Sequence, residues 1–395
     1  MVNYNVFNRS RFLFEEDLIR AEADMASLIS KSKFLVIGGA GSIGQAVTRE
    51  IFTRQPKLLH VVDISENNLV ELVRSLRSSV GYFDGDFKTF CLDFGGREFD
   101  ALMEVSSGYD YVLNLSALKH VRSERDPFTL MRLLKTNIFN TLSSIQWAKS
   151  HNTGKYFTVS TDKAANPVNL MGASKKIMEI ILMQESQEIS VSTARFANVA
   201  FSDGSLLDGF NKRFSKLQPI TVPKNIKRFF FTDKEAGVLC LMSTLLGLNR
   251  EIFFPKECHE MQLTSLTDIA LNFIQDKGFT PHFCDSEEEA RKKASELITQ
   301  NKWPMYFFHA DTTGEKNFEE FYTTTEKIDM DRYTSIGVIM TDLENNNADI
   351  ENFIQSYLKI LNSRVWEKEK IVEAMKILLP NLDHVELGKN LDEKM

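Results

Sequence analysis

An acid, a base and two hydroxyl groups stand side by side directly after an apolar run at residues 156–159. An Asn-Pro turn follows, and the next segment, of helical character, places a methionine and a lysine one turn apart on the same face. A strand that ends in polar residues beside a helix with a lysine is a common way for an α/β sheet to present chemistry at its carboxyl edge. A polar loop that caps a helix is the simpler interpretation of this segment alone. The candidate catalytic residues are Thr161, Asp162, Lys163, Met171 and Lys175.

A glycine-rich turn over residues 38–44 joins a short apolar strand to a following helix. Glycine is needed where the backbone turns tightly, where a pyrophosphate approaches main-chain N–H groups and where helix packs on strand. A second apolar run ends in Asp63, where a carboxylate accepts hydrogen bonds from both ribose hydroxyls of NAD but repels a 2′-phosphate. The pattern therefore predicts a nicotinamide cofactor and favours NAD over NADP. The predicted cofactor-binding residues of this region are Gly38, Gly41, Ser42, Ile43, Gly44, Asp63 and Ser65.

Polar or small residues also follow the next two predicted strands. Asp93 ends one of them and can meet the adenine amino group, and small residues after the strand at 109–115 leave room for the cofactor. Lys119 and His120 come next, near the expected phosphates or sugar, although a packed or solvated loop histidine is the simpler interpretation of His120. Arg228 has a fork of donors that can clamp a phosphate, with a surface arginine as the alternative. These observations add Asp93, Leu115, Ser116 and Ala117 to the cofactor-binding set and predict Lys119, His120 and Arg228 as substrate-binding residues.

Strand and helix patterns alternate four or five times over residues 32–200, which predicts an α/β fold with a doubly wound parallel sheet that binds the cofactor. Residues 1–31 are predicted to form a helical lead-in, because apolar residues recur there at helical spacing. The alternation is lost over 201–280, which we expect to form a smaller substrate-binding part. Residues 281–395 are predicted to form a mostly helical C-terminal extension without a catalytic constellation.

Composition excludes several classes of function. The formal net charge of −7 gives no electrostatic footprint for nucleic acid or anionic lipid. The four cysteines, Cys258 among them, are far apart without a CxxC pair, so neither a disulfide framework nor a metal site is predicted. There is no apolar run of membrane-spanning length and no signal-peptide pattern at the start. The sequence therefore predicts a cytoplasmic protein without a membrane segment.

Seven motifs together resemble the extended short-chain dehydrogenase/reductase superfamily, and within it the polysaccharide-biosynthesis nucleotide-sugar 4,6-dehydratases that act on UDP-N-acetylglucosamine. They span about residues 34–255, and the fifth and sixth are the most specific. The motifs are Gly-Gly-Ala-Gly-Ser-Ile-Gly (38–44), Asp-Ile-Ser-Glu (63–66), Leu-Ser-Ala-Leu-Lys-His-Val (115–121), Lys-Thr-Asn (135–137), Ser-Thr-Asp-Lys-Ala (160–164), Asn-Pro-Val-Asn-Leu-Met-Gly-Ala-Ser-Lys (166–175) and Arg-Phe-Ala-Asn-Val (195–199).

The resemblance implies an NAD(P)-binding Rossmann fold and a defined chemistry. NAD oxidises C4 of the sugar transiently, C5 is deprotonated, water leaves from C6 and the hydride returns there. The product is a UDP-4-keto-6-deoxy-N-acetylhexosamine for surface polysaccharide, glycan or nonulosonic acid biosynthesis. By the same resemblance Lys163 is the C5 base, Asp162 the acid for the C6 oxygen and Thr161 a partner of the C4 hydroxyl. Lys175 binds the nicotinamide ribose, and Asn198 and Arg228 contact the sugar nucleotide.

The chain departs from the superfamily at Met171, where most members have a proton-transferring tyrosine, although the membrane-anchored branch of the dehydratases also has methionine there. The C4 base must then be Lys163, Thr161 relaying to solvent, or Lys175. Ala197 also replaces a more usual glycine. A nucleotide-sugar epimerase and a non-catalytic NAD-binding regulator are the alternative functions. A homo-oligomer is expected, because the superfamily usually pairs through the helices that begin near residues 126 and 170.

Overall fold

Strands and helices alternate along most of the chain. The computed structural model describes residues 4–7, 9, 11–257, 263–309, 319–363 and 365–384. The strands are β1 (Lys33–Ile37), β2 (Leu58–Asp63), β3 (Asp86–Cys91), β4 (Tyr111–Asn114), β5 (Lys155–Val159), β6 (Ser190–Ala194), β7 (Asn198–Val199), β8 (Ile220–Lys224), β9 (Lys227–Arg228), β10 (Phe230–Phe231), β11 (Glu251–Pro255), β12 (Thr264–Ser265), β13 (Thr280–Cys284), β14 (Lys302–His309), β15 (Lys327–Asp329) and β16 (Ile336–Met340). The helices are α1 (Glu15–Ser30), α2 (Ser42–Thr53), α3 (Glu66–Ser79), α4 (Arg97–Val105), α5 (Pro127–Leu134), α6 (Asn140–Ser150), α7 (Leu170–Glu185), α8 (Leu206–Ser215), α9 (Asp233–Leu246), α10 (Leu266–Asp276), α11 (Glu287–Thr299), α12 (Asn347–Asn362) and α13 (Lys368–Leu378).

The main sheet has the order β15-β16-β11-β6-β5-β4-β1-β2-β3. Strands β1 to β6 and β11 pair in parallel, and β16 and β15 extend one edge in antiparallel pairing. The order reverses between β1 and β4, which is the switch point where open α/β sheets bind ligands outside their carboxyl ends. The predicted doubly wound, mostly parallel sheet is confirmed.

The sheet is buried because its central strands carry nearly continuous apolar runs, as expected for parallel strands covered on both faces. All five residues of β5 and the last four of β1 are buried. Helices α2 and α9 cross closely, and a Cβ at Gly237 would lie 2.7 Å from the Ala46 methyl group, so a glycine is required at that crossing.

A smaller three-stranded sheet, β13-β14-β8, lies apart from the main sheet. Its strands pair in parallel, and it shares an apolar core with α8, α10 and the short 3-10 helix Tyr4–Phe7. Trp303 and Met305 of β14 are fully buried in that core. The smaller part is therefore assembled from residues on both sides of the expected boundary at 280.

The last part of the chain differs from the expected, mostly helical extension. Helices α11, α12 and α13 do lie there, but so do β13 to β16, which join two different sheets. Helices α12 and α13 form a hairpin (residues 347–378) that packs against α5 and α7. The Phe139 ring stacks on Tyr357 of this hairpin, with 3.7 Å between ring centroids. The hairpin thus covers the helices through which pairing of subunits was expected.

Candidate active site

The glycine-rich turn has the shape that a bound pyrophosphate requires. Gly38 has φ +72°, and a Cβ there would lie 2.7 Å from the Ser116 backbone nitrogen. A Cβ at Gly44 would lie 2.0 Å from the Gly38 carbonyl oxygen, so neither position accepts a side chain. Gly41 is the N-cap of α2 and supplies no side-chain cap, which leaves the N-terminal N–H groups of the helix directed at the turn.

Asp63 lies beside this turn at the carboxyl end of β2. The Ala40 N–H donates to its Oδ2 at 2.9 Å, and the Ser65 N–H donates to its Oδ1 at 2.9 Å. Each carboxylate oxygen has a second lone pair, so two ribose hydroxyls can still donate to it. A cavity runs from here across the switch point and is lined by Gly38, Asp63, Asp93, Ser116 and Ala117, together with Arg132 and Thr136.

The other predicted cofactor residues support this cavity. The Leu115 N–H donates to the Ile37 carbonyl oxygen at 2.8 Å, which continues the pairing of β4 with β1 to the rim. The Ser65 hydroxyl caps α3 by accepting from the Asn68 N–H, and Ile43 packs against the main core. The Ser42 hydroxyl accepts from the Asp203 N–H at 3.0 Å and so ties the turn to the 202–205 loop. The residues present fit an NAD molecule, because backbone N–H groups for the pyrophosphate, a carboxylate for the ribose and a cavity lie next to one another.

The candidate acid and base come into contact after β5. A 3-10 turn over Asp162–Ala164 interrupts the extended backbone, so the neighbouring side chains do not point to opposite faces as they would in a strand. Lys163 Nζ lies 3.1 Å from Asp162 Oδ1 and 3.3 Å from Oδ2, and the Thr161 hydroxyl donates to Oδ1 at 2.7 Å. Asp162 is 1% exposed, whereas the Lys163 side chain is 29% exposed. The pair therefore presents its lysine end to the outside.

Lys175 and Met171 lie on the first turns of α7, and both are buried. The Lys175 ammonium donates to the Val159 carbonyl oxygen at 3.0 Å, at the end of β5. Burial lowers the pKa of Lys175 to about 8, against an opposing effect of Glu179. The Met171 N–H donates to Glu124 Oε1 at 2.8 Å, and the Met171 side chain belongs to the apolar cluster under the hairpin.

Lys119 and His120 lie at a second place, against the 202–205 loop. The Lys119 ammonium donates to the Ser202 hydroxyl at 3.2 Å. The His120 ring covers Gly204 so closely that a Cβ there would lie 2.8 Å from Nε2. Desolvation lowers the pKa of both side chains, and the charge of Lys119 lowers that of His120 further. His120 is exposed in this position, which agrees with a solvated loop histidine.

Asn198 and Arg228 meet around a carboxylate that the sequence did not indicate. Asn198 Nδ2 donates to Glu319 Oε1, the Phe229 N–H donates to Glu319 Oε2 at 2.6 Å, and Arg228 Nε lies 3.8 Å from Oε1. Residues 281–395 were expected to hold no catalytic constellation, but Glu319 enters the site from that part of the chain. The signal in the sequence was a pair of glutamates between two phenylalanines at 318–321.

A buried ionic network also escaped sequence analysis. Arg195 is 0% exposed and binds Glu179 through two hydrogen bonds of 2.8 and 2.7 Å. It binds Glu326 through two more, of 3.0 and 2.8 Å. The network joins α7 to the segment that carries Glu319.

The residues that the structure describes contain no cluster of three or more side chains able to hold a metal ion. Cys91, Cys240 and Cys284 are free thiols, and Cys258 lies outside the described residues. Among the described helices, none is long and apolar enough to span a bilayer.

Comparison with known sequences identifies relatives along most of the chain. The family described as polysaccharide biosynthesis protein matches residues 34–341. An uncharacterised membrane protein of Methanocaldococcus jannaschii is 30% identical over 365 residues, 89% of this chain and 98% of the relative. A UDP-N-acetylglucosamine 4,6-dehydratase (inverting) of Campylobacter jejuni is 28% identical over 251 residues, 60% of this chain and 71% of that enzyme. A UDP-glucose 4-epimerase of Rickettsia prowazekii is 25% identical over 334 residues, 76% of this chain and 90% of that enzyme. This chain spans 47% and 57% of the length of two longer curated relatives from Bacillus subtilis and Staphylococcus aureus.

Solved structures share the fold. Pen from Bacillus thuringiensis superposes with a TM-score of 0.65 at 23% identity, over 80% of this chain and 89% of Pen. WbmF from Bordetella bronchiseptica, in complex with NAD+ and UDP, superposes with a TM-score of 0.51 at 18% identity, over 63% of this chain and 80% of WbmF. These similarities agree with the predicted α/β fold with a doubly wound, mostly parallel sheet.

Proposed function

The chain belongs to the polysaccharide biosynthesis protein family, and from that membership we propose that it is a UDP-N-acetylglucosamine 4,6-dehydratase. Its product would be a UDP-4-keto-6-deoxy-N-acetylhexosamine for surface polysaccharide, glycan or nonulosonic acid biosynthesis. A dehydratase of that substrate from Campylobacter jejuni is among the relatives, and its named activity supports the proposal.

The observation that carries the proposal is the contact between Asp162 and Lys163 at the carboxyl edge of the sheet. Dehydration needs a base for the C5 hydrogen and an acid for the departing C6 oxygen within reach of one sugar ring. The 3-10 turn brings a carboxyl and an amine to that edge with only 3.1 Å between them. An epimerase needs the redox step at C4 but no such pair.

The cofactor in this proposal is NAD. When bound, NAD would accept a hydride from the sugar and return it. The glycine turn would hold the pyrophosphate, and Asp63 would accept hydrogen bonds from the adenosine ribose. Asp93 and Ser116 line the same cavity. A carboxylate at position 63 repels a 2′-phosphate, which favours NAD over NADP.

Proton transfer at C5 and C6 would use the contact pair. Lys163 would take the C5 proton, and Asp162 would give a proton to the C6 oxygen, so that water leaves. The Thr161 hydroxyl would bind the C4 oxygen. Asn198 and Arg228 would hold the UDP part of the substrate, with Lys119 and His120 near its phosphates or sugar.

Met171 cannot be the base that deprotonates the C4 hydroxyl, because a thioether cannot accept a proton. Another residue must take that role. Lys163, Thr161 relaying to solvent and Lys175 are the candidates. Lys175 has a pKa lowered to about 8 by burial, so part of it is neutral near physiological pH. This observation favours Lys175 as the group that accepts the C4 proton, directly or through Thr161.

The decisive experiment is an incubation of purified protein with NAD and UDP-N-acetylglucosamine, followed by mass spectrometry and proton NMR of the nucleotide sugar. Loss of one water with a new C6 methyl signal is the expected result, and the C5 coupling then distinguishes retention from inversion. A new hexosamine isomer of unchanged mass would indicate that the protein is an epimerase instead of a dehydratase. An unchanged substrate despite NAD binding would indicate a non-catalytic regulator.

We also propose a cytoplasmic location, which follows from the composition, and a homo-oligomer, which follows from the resemblance. Because the hairpin covers α5 and α7, the subunits would pair through another face. Neither proposal enters the chemistry above.

A further inference from the structure

Glu319 is a buried carboxyl group that the proposed chemistry does not yet use. It is 8% exposed, and both of its oxygens accept hydrogen bonds. Asn198 Nδ2 donates to Oε1, and the Phe229 N–H donates to Oε2 at 2.6 Å. Asn198 Nδ2 also donates to the Phe229 carbonyl oxygen at 3.3 Å. Asn198, Phe229 and Glu319 are thus joined by a closed set of three hydrogen bonds, which we call the amide network.

The amide network fixes which end of the Asn198 side chain remains open. A side-chain amide has two N–H hydrogens at one end and a carbonyl oxygen at the other. A backbone carbonyl oxygen and a carboxylate oxygen are both acceptors, so only the N–H end can face Phe229 and Glu319 without repulsion. No described residue donates to Asn198 Oδ1, and this oxygen is not among the buried polar atoms that lack a partner. The open end of Asn198 is therefore an acceptor that is accessible to a ligand.

The segment that carries Glu319 is anchored beside this network. Arg195 is fully buried, and its Nη1 donates to the Phe321 carbonyl oxygen at 2.9 Å, two residues beyond Glu319. The Phe321 ring packs against the Phe229 ring, with 6.0 Å between ring centroids. These contacts hold the backbone near Glu319 against the strand that follows Phe229. The carboxyl group of Glu319 therefore has little freedom to move away from Asn198.

Asn198 lies close to the candidate acid and base. The Asp162 N–H donates to the Phe196 carbonyl oxygen at 3.2 Å, so the chain after β6 runs beside the turn after β5. Asn198 follows Phe196 by two residues and begins β7, which pairs with β10. The open amide oxygen thus belongs to the same edge of the sheet as the contact between Asp162 and Lys163. In the proposed dehydratase this edge holds the sugar ring.

An open acceptor restricts the chemical groups that Asn198 can bind. Phosphate oxygens of UDP only accept hydrogen bonds, and an amide oxygen would repel them. Sugar hydroxyl groups and the N-acetyl N–H donate hydrogen bonds, and an amide oxygen can accept from them. Arg228 has the opposite character, because a guanidinium group only donates and suits a phosphate. The two residues that the resemblance assigns together to the sugar nucleotide therefore suit different parts of it.

Building on the proposed dehydratase, we propose that Asn198 accepts a hydrogen bond from the sugar of the nucleotide sugar, from a hydroxyl group or from the N-acetyl N–H. We further propose that Glu319 is the positioning residue that holds the Asn198 amide in this orientation. Glu319 does not touch the substrate, and contact with the diphosphate remains with Arg228. This refines the assignment of Asn198 to the UDP part of the substrate.

The first test compares the binding of UDP and of UDP-N-acetylglucosamine by calorimetry. The NAD-loaded protein carries Lys163→Ala, so that the bound substrate is not consumed. Asn198→Leu and Glu319→Gln should each raise the dissociation constant of UDP-N-acetylglucosamine about 3- to 10-fold, the usual effect of one uncharged hydrogen bond, and leave that of UDP unchanged. Glutamine has one acceptor oxygen for two donors, so the amide loses its fixed orientation. Equal weakening of both ligands would overturn the proposal.

The matched control for Glu319→Gln is the same substitution at its neighbour. Glu320 is exposed, and its Oε2 accepts from Asn166 Nδ2 at 2.9 Å instead of joining the amide network. Glu320→Gln should leave both dissociation constants unchanged. Urea unfolding of each variant would verify that the protein is folded under the conditions of the titration. If Glu320→Gln weakened UDP-N-acetylglucosamine as much as Glu319→Gln, the position of Glu319 would have no special role, and the proposal would fail.

A second test exchanges the donor and the acceptor inside the amide network. Asn198→Asp alone places two carboxyl groups in contact and should weaken UDP-N-acetylglucosamine binding. Glu319→Gln in the same chain supplies an N–H group to the introduced aspartate and an oxygen to the Phe229 N–H, while the outer aspartate oxygen still accepts from the sugar. The double variant should therefore bind the nucleotide sugar more tightly than Asn198→Asp alone. Weakening equal to the product of the two single effects would overturn the positioning role.

These measurements remain distinct from the test of the proposed function. If wild type binds UDP-N-acetylglucosamine but leaves it unchanged, the dehydratase is refuted, and the dissociation constants still decide the contact of Asn198. If the protein binds UDP but not UDP-N-acetylglucosamine, the sugar contact proposed for Asn198 is refuted as well.

Discussion

Asp162 and Lys163 are neighbours in the chain and also contact each other through their side chains, with Lys163 Nζ 3.1 Å from Asp162 Oδ1. Such a contact is impossible between consecutive residues of a regular strand, where side chains alternate between faces. The contact exists here because the chain leaves β5 in a 3-10 turn. The turn places an acid and a base next to each other in the candidate site.

Removal of either partner should stop dehydration while the fold survives. Lys163→Ala and Asp162→Asn should each lower kcat roughly 100- to 10,000-fold, the usual contribution of a placed acid or base. Product formation by mass spectrometry and circular dichroism of the variants provide the measurement. Lys212→Met, on an exposed side chain of α8, is the control and should keep full activity. Intact dehydration in Lys163→Ala would refute the role given to that lysine.

Gly38→Ala should abolish NAD binding and destabilise the protein. Alanine at φ +72° is strained, and its Cβ would lie 2.7 Å from the Ser116 nitrogen. Gly81 is a matched control, since it has φ +97° but no atom within 4 Å of the place that an added Cβ would take. Gly81→Ala should cost about 1 kcal/mol and leave NAD binding unchanged. Urea unfolding and NAD titration would compare the two variants, and equal effects would contradict the predicted close approach at Gly38.

Asp63→Asn should weaken NAD binding and reduce discrimination against NADP. Hydrogen bonds to charged groups stabilise by about 1.5–3 kcal/mol, so the NAD dissociation constant should rise roughly 10- to 100-fold. Loss of the carboxylate also removes the repulsion of a 2′-phosphate. Calorimetric titration with both cofactors provides the test, with Asp86→Asn, at the opposite end of the neighbouring strand, as the control. An unchanged affinity ratio would contradict the assignment of Asp63 to the ribose.

Lys175 should give stability a characteristic dependence on alkaline pH. Its folded pKa of about 8 lies below the ordinary lysine value of 10.5, so the folded state binds the proton more weakly than the unfolded state. Unfolding free energy should therefore rise between about pH 8 and 10.5, by up to ~3 kcal/mol. Lys175→Met should lack this rise. Urea titrations of both proteins from pH 7.5 to 10 would show it, and parallel curves would contradict it.

The hairpin of α12 and α13 should keep α5 and α7 from pairing with a second chain. Phe353, Ile371 and Met375 are fully buried against those helices. A chain that ends before residue 347 would expose this cluster and should dimerise or aggregate, whereas the full chain should not associate through that face. Light scattering during gel filtration would compare the two chains.

A second experiment tests whether the hairpin packs on its own chain. A disulfide between cysteines introduced at positions 139 and 357 should close within one chain, and covalent dimers would indicate that hairpins are exchanged between chains instead.

Local sequence patterns were sufficient to predict the main sheet and most residues of the candidate site. Apolar runs, glycine spacing and polar strand ends are properties of neighbouring residues, and they placed Asp63, Asp162 and Lys163 at one edge. The strands after residue 280 depend instead on distant partners, as in the pairing of Met305 with Ile220. Glu319 depends on an arginine more than a hundred residues earlier that holds its segment in place. No periodicity in a single sequence encodes such contacts.

The hairpin also has a consequence for how the protein is made. Helix α7 ends at Glu185 and the hairpin begins at Asn347, so the ribosome releases the two parts far apart in time. At a translation rate of about 5–20 residues per second, the apolar side of α5 and α7 remains uncovered by the hairpin for on the order of 10–30 s. During translation this surface is open to chaperones and to neighbouring nascent chains, and slow codons between the two parts would lengthen that exposure.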